Sequence, residues 1–572
     1  MNTQVAASFK FNELRGLKPL LSFRIRQERV TFLLLQNKMS ARSDLPNIPK
    51  VYAGKTVFIT GGNGFLGKVL LEKLLRSCPD IKEVIVLLNG VNQKEIFEKK
   101  RDELLQSSVF DRLKEEAPRA LTKINFVAGD VTAENLGLGE AMLELIQEEV
   151  SFVFHCAANV RFEEPPRTLL KINVFGVYRV AQVCLKMTKL QALVHVSTAY
   201  SFCHKPLITE AVYCEKIPIH IMLDFDSMSD ERLEHICDSY RKSRPSNYQY
   251  SKALGETLLV QGFSDRIPII IVRPGIITAA AKEPFPGWID NYNGPNGFIA
   301  LSCKGVLKSL LVKRGVCADW VPVDLVANTL IAAAHFLIVN KNPMKLFYKD
   351  MRKLNPTQCD VPIINCVCPY NHQLSWNEVT KICMPLLLKY PSERLMSPPG
   401  GIVTSNEINH GLCKFFLHYL PASTIDTFTL LTQRRAKMVN TYKRIHGVMN
   451  HLQLYTTRQF FFTSKNLSTM IEYQLPEDAE TFPIDQTKFE WSEYLENYVH
   501  GVRRYFLKEA DDTLPSARKR LSRLQAGILC GQIFCVGFLL FLMMRKFKPN
   551  IGIRLLTKCK IQRFLTFEKL RI

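Results

Sequence analysis

From residue 55 the chain alternates short apolar runs with longer stretches in which apolar side chains recur at helical spacing. "TVFITG" (56–61) reads as a strand, "GKVLLEKLLRSC" (67–78) as a helix and "EVIVLLN" (83–89) as the next strand. "INFVAGDV" (124–131), "FVFHCAA" (152–158), "ALVHVSTAY" (192–200) and "PIIIVRPGII" (268–277) continue the style. These runs carry no polar alternation, so both faces of each strand must be covered. That predicts a parallel sheet with helices on either side, an α/β Rossmann-like domain. From about residue 371 helical stretches such as "SWNEVTKICMPLLLKY" and "RRAKMVNTYKRIHGVMNHL" replace the strand runs. The expected organisation is an N-terminal extension over 1–48, a Rossmann domain with its substrate region over 49–370 and a mainly helical domain over 371–515. No internal repeat interrupts it.

Residues 524–544, "LQAGILCGQIFCVGFLLFLMM", carry no formal charge and are flanked by basic residues on both sides. At about 1.5 Å per residue they cover the roughly 30 Å hydrocarbon core of a bilayer. We expect a C-terminal transmembrane segment, with the basic tail 545–572 beyond it. Charge agrees: of the net +22, residues 1–38, 501–544 and 545–572 carry 17. Terminal basicity of this kind suits an anionic membrane surface, and no nucleic-acid-binding pattern accompanies it. The 16 cysteines form no disulfide framework. Cys359, Cys366, Cys368 and His372 match no common zinc spacing and read as core side chains, so no metal is expected. Met39 opens a polar lead into the first strand, and residues 1–38 read as an upstream extension outside the fold.

Directly after the first strand, "TVFITGGNGFLGK" places Gly61, Gly64 and Gly67 at the start of a helix. In a strand–turn–helix setting such glycines permit a tight turn, let backbone approach a pyrophosphate, and bring helix close to strand. Thr60, Gly61, Asn63, Gly64, Phe65, Leu66 and Gly67 are therefore the expected dinucleotide loop, joined by Asp130 and Val131 at a later strand end and by Pro274. The second strand ends at Asn89, where no carboxylate repels a 2′-phosphate and Lys94 is near, which favours NADPH. In "SNYQYSKALGE", Tyr248 and Lys252 are four apart and share a helix face, whereas Tyr250 points away and reads as packing. An ammonium beside a phenol lowers its pKa and prepares it for proton transfer. The same lysine can hold a nicotinamide ribose, and Ser197 or Thr198 in "VHVSTAY" can bond a substrate carbonyl where negative charge develops. Asn173 either orders a relay water or packs the helices.

The chain resembles the alcohol-forming fatty acyl-CoA reductases, an extended short-chain dehydrogenase family, particularly the insect type. The resemblance rests on "YAGKTVFITGGNGFLGKVLLEKLLRSCP", "FHCAANVRFEEP", "VHVSTAY", "NYQYSKALGE" and above all "EPFPGWIDNYNGPNG". It implies NADPH-dependent reduction of a long-chain acyl-CoA to a primary alcohol with release of CoA. Tyr248 would act as proton donor, Lys252 would tune it, and Thr198 or Ser197 would steady the oxyanion. A basic C-terminal anchor fits the peroxisomal or endoplasmic reticulum membrane, single-pass with the catalytic domain facing the cytosol, and a homodimer stays open. Three departures stand out. Asn89 replaces an arginine of the family, Gly275 stands where serine is common, and Leu301 and Cys303 replace glycines. On the residues alone, a sterol or lipid-alcohol dehydrogenase and a non-catalytic lipid- or cofactor-binding relative stay open.

Overall fold

The computed structural model describes residues 45–546 except 92, 242–243, 341–342, 344–346, 348–360 and 433–434. The expected N-terminal extension and basic tail thus lie outside the described residues, apart from their inner edges. Seven strands form one parallel sheet: β1 (Thr56–Thr60), β2 (Glu83–Leu88), β3 (Ile124–Ala128), β4 (Val150–His155), β5 (Ala192–Val196), β6 (Ile269–Pro274) and β7 (Ile363–Cys366). Their order is β7-β6-β5-β4-β1-β2-β3. Strand order reverses between β1 and β4, and the carboxyl ends flanking that point are where a doubly wound sheet binds ligands.

Both faces of the sheet are buried, as the unbroken apolar runs require. Val57, Ile59, Val86, Phe154 and Val194 point to one face, covered by helices α1 (Phe65–Ser77) and α4 (Val323–Val339). Phe58, Ile85, Val153 and Leu193 point to the other, covered by α2 (Gly176–Leu185) and α3 (Asn247–Phe263). The split follows the period of two along a strand.

The helical part includes α5 (Trp376–Lys389), α6 (Glu407–Lys414), α7 (Leu420–Leu431), α8 (Met438–Thr457) and α9 (Trp491–Gly501). α5 starts where "SWNE" says it should: Ser375 and Glu378 form a reciprocal capping box. This part is not a separate body. Trp376, Trp491, Tyr494 and Tyr498 share one core with Ile289, Ile299 and Trp320 of the first region. Two-residue strands at Leu207–Ile208 and Phe461–Phe462 pair in parallel, and Ser309–Leu311 pairs with Ile402–Thr404. At the amino end, the backbone amide of Ile48 is bonded by the Asp478 carboxylate at 3.0 and 3.1 Å.

The last helix, α10 (Leu514–Lys546), is docked only at its root. Ala517 and Leu521 are buried, Arg518 donates to the Lys389 carbonyl at 3.0 Å, and Arg520 donates to the Leu395 carbonyl at 3.0 Å. Farther on, its apolar span is wholly exposed, with a mean hydropathy of 2.3, long and apolar enough to cross a membrane.

Candidate active site

The glycine loop leaves β1 at the switch point. Gly61 has φ +74°, a region that favours glycine, and a Cβ there would lie 2.6 Å from the Ala157 nitrogen. A Cβ on Gly67 would lie 2.2 Å from the Gly61 carbonyl oxygen, so α1 meets the loop as closely as backbone allows. Gly64 is the N-cap of α1, and no side chain caps that end. The first amides of a thirteen-residue helix therefore point out with positive potential, which suits a pyrophosphate. Asn63 and Gly64 are exposed, Phe65 stacks on Trp288 at 5.5 Å, and Leu66 is packed in the core. Thr60 Oγ1 lies 2.7 Å from His155 Nδ1, tying β1 to β4 below the loop. These residues fit a dinucleotide.

Asn89 is exposed just past the end of β2, and Lys100 donates to its carbonyl at 3.1 Å. Lys94 opens the next helix and is exposed. Asp130 accepts from the Thr132 amide at 2.8 Å, and Val131 lies beneath Gly176, where a Cβ would meet it at 3.3 Å. Pro274 is buried at the end of β6, paired with Cys366. Gly275 follows it, and its amide donates to the Cys366 carbonyl at 3.0 Å.

Tyr248 and Lys252 occupy the first turns of α3, which Ser246 caps. Lys252 is 2% exposed, and its Nζ donates to the Val196 carbonyl at 2.7 Å. Val196 directly precedes Ser197 and Thr198, so this bond fastens the helix to the strand end bearing the candidate oxyanion groups. Burial lowers the Lys252 pKa to about 8, against an opposing pull from the Glu256 carboxylate. The phenol of Tyr248 behaves differently from the sequence expectation: burial raises its pKa well above the usual value, and no lysine offsets this. The reason is direction. Four-residue spacing gives a shared helix face, but the Lys252 ammonium turns to the carbonyl of β5 while the Tyr248 ring sits edge-on to Phe162 at 5.2 Å. Tyr248 is thus held as a neutral phenol.

Ser197 and Thr198 separate in role. Ser197 Oγ donates to Glu256 Oε1, and Ser201 Oγ lies 3.0 Å from it. Thr198 Oγ1 only accepts, from the Tyr200 amide at 3.3 Å, leaving its proton uncommitted.

Behind these groups lies a supporting layer, in which Asn173 was expected and the Glu256–Arg273 pair was not. Glu256, four residues after Lys252, forms a fully buried ion pair with Arg273, Nη2 to Oε2 at 2.6 Å. Asn173 holds both backbone groups of Asn159, accepting from its amide at 2.9 Å and donating to its carbonyl at 3.0 Å, and donates to Ser251 Oγ at 2.9 Å. Its side chain is thereby used in packing. The available signals were "ALGE" and "VRPG", charged residues inside apolar runs, which are rarely buried unless paired. His155 and His195 stack at 5.4 Å across β4 and β5. Burial, with Lys252 close by, holds His155 neutral with its pKa down to about 3.

An apolar cavity lies on the far side of an aromatic layer from the site. Phe298, Trp320, Trp376, Val379, Cys383 and Leu387 are among its walls. That layer links it to Tyr248. Phe298 and Phe162 both pack on the cluster of Tyr200 and Tyr455, and Phe162 in turn touches the Tyr248 ring. Tyr200 is fixed by its hydroxyl, which bonds Asp319 at 2.8 Å. Cys303 is buried in the core close to Cys383, one of the cavity's wall residues.

Comparison with known proteins agrees with this geometry. A family model for NAD binding, described as male sterility protein, matches residues 59–330, and a second with the same description matches residues 417–509. The domain is thus of the nicotinamide-dinucleotide-binding type. Fatty acyl-CoA reductase 1 of Mus musculus is 36% identical over 482 residues, covering 84% of this chain and 90% of its own. The Gallus gallus protein of the same name is 35% identical over 480 residues with the same coverage, and fatty acyl-CoA reductase 2 of Homo sapiens is 32% identical over 482. The fold is shared with the reductase domain of a non-ribosomal peptide synthetase from Mycobacterium tuberculosis, at TM-score 0.52 and 17% identity over 82% of this chain and 95% of that one. On these grounds the chain belongs to the fatty acyl-CoA reductase family.

Proposed function

We propose that this protein is a membrane-attached reductase that converts long-chain fatty acyl-CoA to primary fatty alcohol, with NADPH as reductant and CoA released. The observation that carries the reading is the bond from Lys252 to the Val196 carbonyl. It joins the Tyr248 helix to the strand end that carries Thr198, at the carboxyl edge of the sheet where the glycine loop also lies. The names of the relatives supply the substrate class. The loop of Gly61, Gly64 and Gly67 would hold NADPH, which would supply one hydride for the thioester carbonyl and, from a second molecule after exchange, one for the aldehyde.

Thr198, with its proton uncommitted, donates to the carbonyl oxygen where negative charge develops. Ser197 is a positioning residue, since its proton is spent on Glu256. Tyr248, kept protonated by burial, gives its phenolic proton to the alkoxide. The Lys252 ammonium, bonded to the Val196 carbonyl, holds the Tyr248 helix against the strand end that carries Thr198. Loss of CoA from the hemithioacetal separates the two reductions. Lys94 and Lys100 near Asn89, with no acid at the end of β2, support NADPH over NADH. α10 would anchor the protein with the catalytic body in the cytosol, at the peroxisome or endoplasmic reticulum.

The test is lipid analysis of cells expressing the protein or its Tyr248→Phe variant. Long-chain alcohols should accumulate with the first and fall at least about a hundredfold with the second. Purified protein should consume two NADPH per CoA released. One cofactor per ketone with no free CoA would instead identify a lipid-alcohol dehydrogenase.

A further inference from the structure

α6, the turn Phe415–Tyr419 and α7 form one continuous helical stretch, and its outer side is strongly apolar. Phe415, Phe416 and Leu420 are about half exposed, Ile408 is 74% exposed, Phe428 69% and Leu431 78%. Single exposed apolar side chains are ordinary, but a run of this size on one element is not. From Phe415 to Leu431 the only formal charge is Asp426. That carboxylate is spent internally, accepting from the amides of Lys437, Met438 and Val439 to cap α8.

Three observations say what covers this face. The first is position. Lys308 and Ser309 line the apolar cavity; the Lys308 amide donates to His418 Nε2 at 2.9 Å, and Ser309 Oγ lies 2.7 Å from His410 Nδ1. The apolar helices are therefore braced on the cavity wall. Gly401 and Ile402, exposed and lining the cavity, put its mouth beside them. The second is continuity. The loop leading to that mouth also receives the root of α10, through Arg520 on the Leu395 carbonyl. The long apolar span thus leaves the body close to the same loop. The third is charge. Residues 407–444 hold six basic and two acidic side chains, and Arg435, Lys437, Lys443 and Arg444 are exposed. Apolar residues flanked by lysine and arginine match a surface of anionic lipid.

We propose that the Glu407–Leu431 stretch lies in the headgroup region of the bilayer as a second, non-spanning membrane contact. The cavity mouth then faces the lipid, and the long acyl chain of the substrate enters laterally from the membrane. This rests on the membrane attachment proposed above.

The test uses the full-length protein reconstituted in phosphatidylcholine–phosphatidylserine vesicles that carry a diazirine on one acyl chain, with mass spectrometry of peptides after irradiation. Lipid adducts are expected on peptides from 407–431 as well as from 524–544. The Phe416→Glu/Phe428→Glu variant, altered only at exposed positions, should lose adducts on 407–431 at least about fivefold with those on 524–544 unchanged. Its KM for a vesicle-borne long-chain acyl-CoA should rise by a similar factor while that for soluble octanoyl-CoA stays put. Adducts on 524–544 alone would overturn the inference and leave the anchor standing; adducts on neither would overturn both. A detergent-solubilised dimer that the variant converts to monomer, with 407–431 unlabelled, would overturn it in favour of a contact between copies of this chain.

Discussion

The Lys252 ammonium should govern activity on the alkaline side. Its pKa falls from an ordinary 10.5 to about 8, chiefly through burial. That corresponds to roughly 3 kcal/mol of lost preference for the charged form. At pH 7 about nine in ten molecules carry the charge, and at pH 9 about one in ten. Because the charged form makes the stronger bond to the Val196 carbonyl and so sets the Tyr248 helix against Thr198, kcat/KM for NADPH, which reports the unliganded protein, should fall about tenfold per pH unit above roughly pH 8. Stability should move the other way. The unfolded chain holds this proton up to about pH 10.5 and the folded one only to about 8, so Lys252 makes folding more favourable as pH rises across that window. Lys252→Arg replaces the titrating amine with a guanidinium that stays charged; its activity should be low and the alkaline limb absent. The measurement is the pH–rate profile of both proteins from pH 6.5 to 9.5. A wild-type profile flat to pH 9.5, or a limb that survives in Lys252→Arg, would refute the assignment.

Other outcomes follow from named contacts. Gly67→Ala puts a Cβ 2.2 Å from the Gly61 oxygen; the strain of about 1–3 kcal/mol should fall on the loop and weaken NADPH binding about 5- to 150-fold by titration calorimetry. Gly275→Ser should destabilise this chain by about 1–3 kcal/mol, read as a lowered melting temperature, because a Cβ there sits 2.7 Å from the Asp319 carbonyl oxygen. Arg273→Met leaves the Glu256 carboxylate buried without its partner and should cost about 3–5 kcal/mol, with Arg273→Met/Glu256→Leu recovering part of the loss in the same melting assay.

Most of the sheet was legible because strands buried on both faces carry unbroken apolar runs. "TVFIT", "EVIVLL" and "ALVHV" needed nothing else. The glycine loop was equally plain, since its residues are adjacent in sequence and each has a local steric reason. What stayed hidden was long-range. Leu207–Ile208 and Phe461–Phe462 are two-residue strands some 250 residues apart, too short for any periodicity to reveal. Helical spacing brought Tyr248 and Lys252 to one face but could not say that the amine would turn to the Val196 carbonyl, because that acceptor belongs to another element. The apolar outer side of Glu407–Leu431 was hidden for the opposite reason: its composition looks like an ordinary core helix, and only its exposure distinguishes it.

The carboxylate of Glu210 accepts backbone amides from Asn365, Asn466 and Leu467. A ribosome delivers those donors more than 150 and 250 residues after the acid itself. Until then the nascent dinucleotide-binding half carries an unfinished joint at the far edge of its sheet. The catalytic body can close only once residue 467 has been made, so a truncation before it would yield an open, chaperone-dependent chain instead of a smaller working enzyme.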